Sequence, residues 1–431
     1  MDPPRLRPVE TRWVTHEGRP YLFLRDPVGL SEAQLLVPAP LAPLLALCDG
    51  TRDPGALQAA LELRTGLRLP LAQVQELLRQ LSESLFLDDP HYRAVLQARL
   101  DAYRSAACRE PALVGKVYPE DPTELQRALA SFGSAEDGRL RPLPPLAKGG
   151  AGEVPPGPLV GVVSPHIDYE RGGAIYALTW GKAAPALEEI ELAVILGTDH
   201  AGSPAGLTLT KQHYATPFGV LPTNQGIVES LARALGPERS FAEEVHHVRE
   251  HSVELAAVWL HYALGGRPCQ LVPVLCGSLD HALQDHVRPE DADPGLAEAL
   301  AILSDTLGSR PALVVAAGDL AHMGPAFGDP APLDVLDRAR CTAGDQALLD
   351  AMAASDADGF LAAVRREGDA RRICGLGPIY LALRLLAGAT GEVTGYSHCP
   401  ADPEGGSLVS IAGVLLRRPP AVPGPESRVP C

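Results

Sequence analysis

Residues 159–169 read LVGVVSPHIDY, a short aliphatic run that ends in a histidine and an aspartate. Similar aliphatic runs recur further along the chain: Leu192–Leu196, Leu271–Leu275 and Leu313–Ala317. Runs of this kind are typical of strands in a sheet that is covered on both faces. Segments with helical spacing separate them: about 173–182, 226–235, 252–264 and 294–307. This alternation predicts an α/β domain whose central sheet is flanked by helices.

Three of the four runs deliver a histidine just beyond the end of the predicted strand. These are His166, His200 and His322. In open α/β sheets, ligands bind in the crevice outside the carboxyl ends of the strands. Three histidines at equivalent places therefore indicate a metal or acid–base site, and imidazole suits iron, copper and zinc about equally well. Any one of them taken alone is more simply explained as a loop histidine whose ring forms hydrogen bonds within its own loop.

An aspartate accompanies each of these histidines: Asp168, Asp199 and Asp319. Such a carboxylate either orients a neighbouring imidazole or caps the helix that follows. Capping is the favoured interpretation for Asp168, because Gly172 and Gly173 come shortly after it at the start of a helical segment.

A fourth histidine follows a different pattern. His247 to His251 spells H-x-x-E-H, which in one class of zinc protease places both histidines on one face of a helix. Here Ser252 is a good N-cap and apolar residues at helical spacing come after it, so the helix is expected to begin there and to exclude His247. The protease interpretation is therefore disfavoured. His251 and the neighbouring Glu250 remain candidates for the crevice.

The composition limits the remaining classes of function. The 431 residues include 37 Lys+Arg and 53 Asp+Glu, a net charge of −16, which disfavours nucleic-acid binding. The eight cysteines form no C-x-x-C pair, and no run approaches the roughly 18 apolar residues of a membrane span. The first residues also lack a signal-peptide pattern. We therefore expect a cytoplasmic protein with reduced thiols that binds neither nucleic acid nor membrane.

Residues 1–95 are expected to form a small module of their own. A strand-like stretch at 20–27 precedes three short helical patterns, at 41–47, 54–63 and 71–85, and a last strand is expected at 85–87. This order resembles a winged helix. The stretch LCDGTRD, residues 47–53, resembles the PqqD-like peptide-recognition domains. A packing module without chemistry is the alternative.

The rest of the chain divides by composition. Residues 96–158 are expected to connect the module to the α/β domain, and their last part, 134–158, is a Gly- and Pro-rich loop or linker. The α/β domain is expected to span 159–418, followed by a disordered tail at 419–431.

Several short motifs, in order and in register, make one resemblance specific: SPHIDY (164–169), ILGTDH (195–200), YATPFG (214–219), VPVLCG (272–277), GDLAHMGPAF (318–327) and ICGLGP (373–378). Over roughly residues 105–418 the chain resembles the Memo family, known in bacteria and archaea as AmmeMemoRadiSam system protein B. The fold of that family resembles the class III extradiol dioxygenases, which use non-haem iron.

The resemblance implies a metal site at the histidines. His166 and His200 match family histidines, whereas Ala201 and Ala321 stand where animal members carry proposed ligands. A non-haem metal, iron or copper, would therefore use another set, for which we predict His166, His200 and His322.

The resemblance also implies roles for the neighbouring residues. His251, Asp319 and Glu250 are the candidate acid–base residues. Cys374 matches a family cysteine, and it is more simply explained as a buried small hydrophobe than as a thiol at the site.

Two functions are compatible with these features. The first is a metal-dependent redox or oxygenase-like enzyme for a small or peptide-borne substrate. The second is a protein without catalytic activity that uses the same crevice, without metal, to bind a peptide or a partner. The family name implies a radical SAM protein and an AMMECR1-type protein as partners. The metal content of the purified protein discriminates between the two functions.

Overall fold

A computed structural model describes residues 3–133, 157–202 and 206–419 of the chain. The chain divides into two compact units, Met1–Ala106 and Ala107–Cys431. The predicted linker lies almost entirely outside the described residues, and so does the predicted tail after residue 419.

The first unit combines a three-stranded antiparallel sheet with helices. The strands are, in spatial order, β1 (Glu10–His16), β2 (Arg19–Arg25) and β3 (Gln34–Pro38). The helices are α1 (Ala42–Leu47), α2 (Pro54–Thr65), α3 (Leu71–Glu83) and α4 (Pro90–Ser105). The three helical patterns predicted from the sequence correspond to α1, α2 and α3. The predicted boundary at residue 95 falls inside α4, and the winged-helix assignment stays a prediction.

The last strand expected in this unit is absent from the described structure. Only an isolated bridge joins Leu6 to Leu87. Leu85 has a φ of 60°, in the left-handed region, so the backbone cannot run extended from 85 to 87.

A buried ion pair joins the N-terminal segment of this unit to the turn after β2. Arg7 Nη1 and Nη2 lie 2.9 and 2.8 Å from the two carboxylate oxygens of Asp26. Burial alone would raise the pKa of Asp26, but its hydrogen bonds with Arg7 and with the backbone amides of Ser31 and Val28 outweigh burial and lower the pKa. The carboxylate is thus held ionised inside the unit.

The second unit is built on a mixed sheet of eight strands. In spatial order they are β11 (His322–Met323), β13 (Leu408–Arg417), β4 (Leu159–Ser164), β10 (Ala312–Ala317), β5 (Leu192–Thr198), β9 (Gln270–Cys276) and β6 (Leu207–Leu209), while β12 (Thr390–Pro400) pairs with β13. Strands β4, β10, β5 and β9 are parallel to one another. A separate ribbon consists of β7 (Tyr214–Thr216) and β8 (Gly219–Leu221).

The four aliphatic runs form the central parallel strands, which confirms the prediction of one sheet. Their residues point alternately into two hydrophobic cores: Val162 and Ile195 enter one core, and Val163 and Val194 enter the other. Because both faces are buried, the strands show no alternation of polar and apolar residues.

Helices cover both faces of the sheet. They are α5 (Pro122–Ser131), α6 (Tyr169–Ala183), α7 (Gln225–Leu235), α8 (Pro237–Phe241), α9 (Ser252–Ala263), α10 (Asp280–Asp285), α11 (Pro289–Ala292), α12 (Pro294–Ser309), α13 (Val335–Ala353), α14 (Ala357–Arg366) and α15 (Leu376–Leu385). Helices α6 and α9 share one core with the sheet, and α7, α12, α13, α14 and α15 share the other. The predicted flanked α/β architecture is therefore confirmed. None of the helices in the described ranges is long and apolar enough to cross a membrane.

Candidate metal centre

A cavity of about 800 Å³ opens where the central parallel strands end. The histidines singled out from the sequence, His166, His200, His251 and His322, all line it. Asp319 lines it too. The remaining wall is largely apolar, with Leu113, Val117, Leu255, Phe327 and Ile373. Arg171 and Arg372 also line it, and they pair with Asp168 and Asp329.

His166 is held in one orientation by the end of β10. Its Nδ1 lies 3.0 Å from the carbonyl oxygen of Ala317, and its backbone amide donates to Asp319 Oδ1 at 2.9 Å. A carbonyl oxygen can only accept, so Nδ1 carries the proton and Nε2 keeps the lone pair. Burial lowers the pKa of His166 well below its usual value, which favours this neutral form.

Glu250 holds two imidazoles at once. Both of its oxygens lie 3.1 Å from His200 Nδ1, and Oε1 lies 3.2 Å from His251 Nδ1. The carboxylate also accepts from the backbone amides of His200, His251 and Ser252. The rings of His200 and His251 consequently stack, with centroids 4.5 Å apart.

This arrangement favours a positioning role for Glu250 over the acid–base role that we predicted. Both oxygens are engaged by histidines and amides, and the side chain is buried. Burial would raise the pKa of Glu250, but the charges of His200 and His251 and the hydrogen bonds lower it well below its usual value. A carboxylate held ionised in this way orients imidazoles as the outer partners of metal ligands do.

The three predicted histidine ligands are brought to the same cavity but not into one compact set. The ring centroids of His166 and His200 lie 4.9 Å apart. Ligand atoms of His166, His200 and Cys374 all lie within 4.8 Å of one another, and a second such group is Asp319, His322 and Cys374. Among the described residues, His322 joins no such group with His166 and His200.

The position of His322 follows from its strand pairing and from two neighbouring residues. Strand β11 pairs with β13, and His322 Nδ1 lies 3.2 Å from the carbonyl oxygen of Leu320. Its ring meets that of Phe327 edge to face, with centroids 4.9 Å apart. Burial lowers the pKa of His322 to about 4, so the ring is neutral near pH 7.

Cys374, which the sequence favoured as a buried small hydrophobe, lies at the cavity. It lines the cavity, and its Sγ lies 3.2 Å from His166 Nε2. The next residue, Gly375, donates from its amide to the carbonyl oxygen of Asp319 at 2.8 Å. A Cβ on Gly318 would lie 2.5 Å from the Cα of Gly375, so glycine is required at this contact. In the sequence, Gly318 directly precedes Asp319 and Gly375 directly follows Cys374. These two glycines were the sequence signal that the two loops approach each other closely.

Asp319 is buried beside His166. Its Oδ2 lies 3.7 Å from His166 Nε2. Burial raises its pKa to about 7, although hydrogen bonds from backbone amides oppose the rise. A carboxyl group of this kind is able to donate or accept a proton near neutral pH.

The H-x-x-E-H segment does not form a protease site. His247 lies outside α9, as expected, with Nε2 3.1 Å from the carbonyl oxygen of Thr208 and Nδ1 2.7 Å from the hydroxyl of Tyr214. One detail of the prediction was wrong, because Ser252 does not cap the helix. It is the first helical residue, and its hydroxyl donates to the carbonyl oxygen of Thr198.

Asp168 acts as the sequence predicted. It is the N-cap of α6, and its side chain accepts from the amide of Arg171 at 3.1 Å. Asp199, which follows β5, accepts from His246 Nδ1 instead of from a predicted site histidine.

The donor set at the cavity fits a transition-metal ion. Two imidazoles and one thiol converge, and the Nδ1 atoms of His166 and His200 are already engaged by a carbonyl and a carboxylate. Such ligands suit iron, copper and zinc, and outer partners of this type fix the orientation of metal-bound imidazoles.

Comparison with known proteins links this site to one family. Residues 109–414 match the family model described as Memo-like protein. A MEMO1 family protein of Aquifex aeolicus is 24% identical over 317 residues, covering 74% of this chain and 76% of the relative. A MEMO1 family protein of Methanopyrus kandleri is 28% identical over 318 residues, covering 72% and 99%. One from Thermotoga maritima is 30% identical over 228 residues, covering 50% and 70%.

Proposed function

The chain belongs to the Memo family, and from that premise we propose that its crevice is the metal centre of an oxidoreductase resembling the class III extradiol dioxygenases. The observation that carries the proposal is the convergence of His166, His200 and Cys374 within ligand distance. These side chains would hold a non-haem iron or copper ion. When bound, such an ion supplies redox chemistry and Lewis acidity.

The residues around the donor set supply proton transfer. His251 stacks on His200, and burial lowers its pKa, so it is a neutral base near pH 7. Asp319, with a pKa of about 7, is available as the partner acid. A pair of groups with separated proton affinities in one cavity is the usual arrangement for acid–base catalysis.

The cavity suits a small organic group, free or attached to a peptide. Its volume of about 800 Å³ and its apolar wall are typical of sites for small molecules.

We extend the proposal to partners and location. The resemblance to the AmmeMemoRadiSam system favours a radical SAM protein and an AMMECR1-type protein as partners, and the resemblance of residues 47–53 to PqqD-like domains favours a peptide-borne substrate. The seven described cysteines are all free thiols, which is compatible with the reducing cytoplasm. Copurification with the tagged full chain, followed by mass spectrometry, tests the partners.

Metal retention tests the function. The full chain is reconstituted without oxygen with Fe(II) or Cu(I), desalted and analysed for metal and for oxygen uptake with catechol-type substrates. We expect the wild type to retain metal and His166→Ala to lose at least tenfold in affinity. His398→Asn is the matched control, because it removes a histidine that does not line the cavity. If the wild type retains neither metal, the alternative function, partner binding without metal, replaces the proposal.

A further inference from the structure

A second group of metal-ligating side chains involves a residue next to the candidate centre. Asp199, Glu243 and His246 each offer one ligand atom, and these atoms lie within 4.8 Å of one another. Asp199 directly precedes His200 in the chain. We propose that these three residues form a site for a divalent cation, zinc or manganese, that is separate from the crevice centre.

The core of this group is a buried aspartate–histidine contact. His246 Nδ1 lies 3.0 and 2.9 Å from the two oxygens of Asp199. The side chains of both residues are less than a tenth exposed. Asp199 is itself held in place, because its amide donates to the carbonyl oxygen of Cys276 and its Oδ1 accepts from the amide of Ala201. Two of the three ligands are thus preorganised, and a cation bound by both would take the place of the proton that His246 Nδ1 donates to Asp199, which is released to solvent.

The charge of the group favours a cation. Two carboxylates face one imidazole, so the three side chains carry a net charge of −1 even when His246 is protonated. A divalent cation compensates buried carboxylates of this kind.

The donor types select the ion. One nitrogen and two carboxylate oxygens suit zinc, manganese and iron(II), whereas copper(I) prefers thiolates. The crevice set differs, because it contains the thiol of Cys374. The two sites therefore differ in the metals that they favour.

The placement of the ligands couples this site to the crevice. Asp199 and His200 are neighbours after β5, while Glu243 and His246 lie in the segment that leads to His251. Each of the two loops thus supplies ligands to the second site and a histidine to the crevice. A cation at the second site would tie the loops together and hold both crevice histidines.

Another group with suitable donors differs in a way that provides a control. Cys341, Asp345 and His398 also lie within ligand distance. There Arg371 pairs with Asp345, and the hydroxyl of Tyr396 lies 2.7 Å from both Asp345 and His398. A guanidinium already neutralises that carboxylate, so we expect no cation to bind there.

Zinc stoichiometry on the full chain tests the inference. Equilibrium dialysis and titration calorimetry with Zn(II) should give two tight sites per wild-type chain. His246→Asn and the isosteric Glu243→Gln should each lose one of them, with at least a tenfold fall in affinity. His166→Ala should lose the other site, and His398→Asn should lose neither.

The outcomes separate this inference from the proposed function. An ion that is kept in His166→Ala and lost in His246→Asn supports the second site, even if the crevice binds none. Unchanged zinc binding in both His246→Asn and Glu243→Gln, with melting temperatures like that of the wild type, overturns the inference. Bound Mn(II), followed by electron paramagnetic resonance, gives an independent signal that should broaden or vanish in the same two variants.

Discussion

Cys374 Sγ lies 3.2 Å from His166 Nε2, although the two residues are 208 positions apart in the chain. The thiol and the imidazole meet because the loop before α15 is hydrogen-bonded to the residues that follow β10. Burial, followed by the charge of Asp319, raises the pKa of the Cys374 thiol well above its usual value. The thiol is therefore protonated until a cation stabilises the thiolate.

Substitution of this cysteine should remove a spectroscopic signal. We expect Co(II) bound to the wild type to show a thiolate-to-metal charge-transfer band in the near ultraviolet. Cys374→Ser should lack this band, and its affinity for Co(II) should be at least tenfold lower. Cys269→Ser is the control, because that buried thiol does not line the cavity. A band that survives in Cys374→Ser would remove the cysteine from the donor set.

Glu250→Gln should weaken metal binding about 10- to 100-fold, because an amide cannot hold the Nδ1 atoms of His200 and His251 as a carboxylate does. Metal affinity and oxygen uptake should fall together. The control is Glu229→Gln, whose carboxylate pairs with Lys211 at the surface. Loss of activity with unchanged affinity would instead support the acid–base role first predicted for Glu250.

Gly318→Ala should displace the loop that carries Cys374. The new methyl group would lie 2.5 Å from the Cα of Gly375, so we expect a loss of about 1–3 kcal/mol in the free energy of unfolding and weaker metal retention. At Gly181 in α6 an added Cβ meets nothing within 4 Å, so Gly181→Ala should be neutral or stabilising. Urea unfolding and metal analysis of both variants check this, and equal stabilities would refute the close-contact argument.

The ion pair of Arg7 and Asp26 predicts a pH dependence in the first unit. The folded pKa of Asp26 is lowered, so its stabilisation is present above the unfolded pKa of about 3.9 and is lost as the pH falls through the folded value. Near pH 7, Asp26→Asn should cost about 3–5 kcal/mol, because Arg7 is left buried without its partner.

Hydrogen exchange in β2 of the full chain measures that difference between wild type and variant. The difference in the free energy of unfolding between wild type and Asp26→Asn should be largest at pH 6–7 and should shrink towards pH 3. If this difference in stability does not depend on pH, the charge of Asp26 contributes nothing to folding.

The architecture of the second unit could be predicted because burial on both sheet faces leaves a local signature. The run Leu159–Val163 and its three counterparts are continuous and almost wholly aliphatic, and each ends at the same sheet edge. The histidines that follow β4, β5 and β10 could be grouped by the same reasoning.

Other features depend on contacts that no local pattern records. The proximity of Cys374 to His166 arises from a loop rather than a strand, and the hold of Glu250 on two imidazoles is visible only in three dimensions. In the first unit, strand β1 was missed because its residues are almost all exposed and lack an apolar run. The sequence predicted two strands there, at 20–27 and 85–87, whereas the described residues form three, of which only β2 matches a prediction.

The strand order has a consequence for how the centre is made during synthesis. His166 and His200 follow strands β4 and β5, which are joined only through β10 between them. On the ribosome, β4 and β5 emerge more than a hundred residues before β10. The two histidines therefore cannot be assembled on one edge until Ala312–Ala317 has inserted, and Cys374 emerges later still. The convergence of His166, His200 and Cys374 therefore depends on residues that are translated well after β4 and β5.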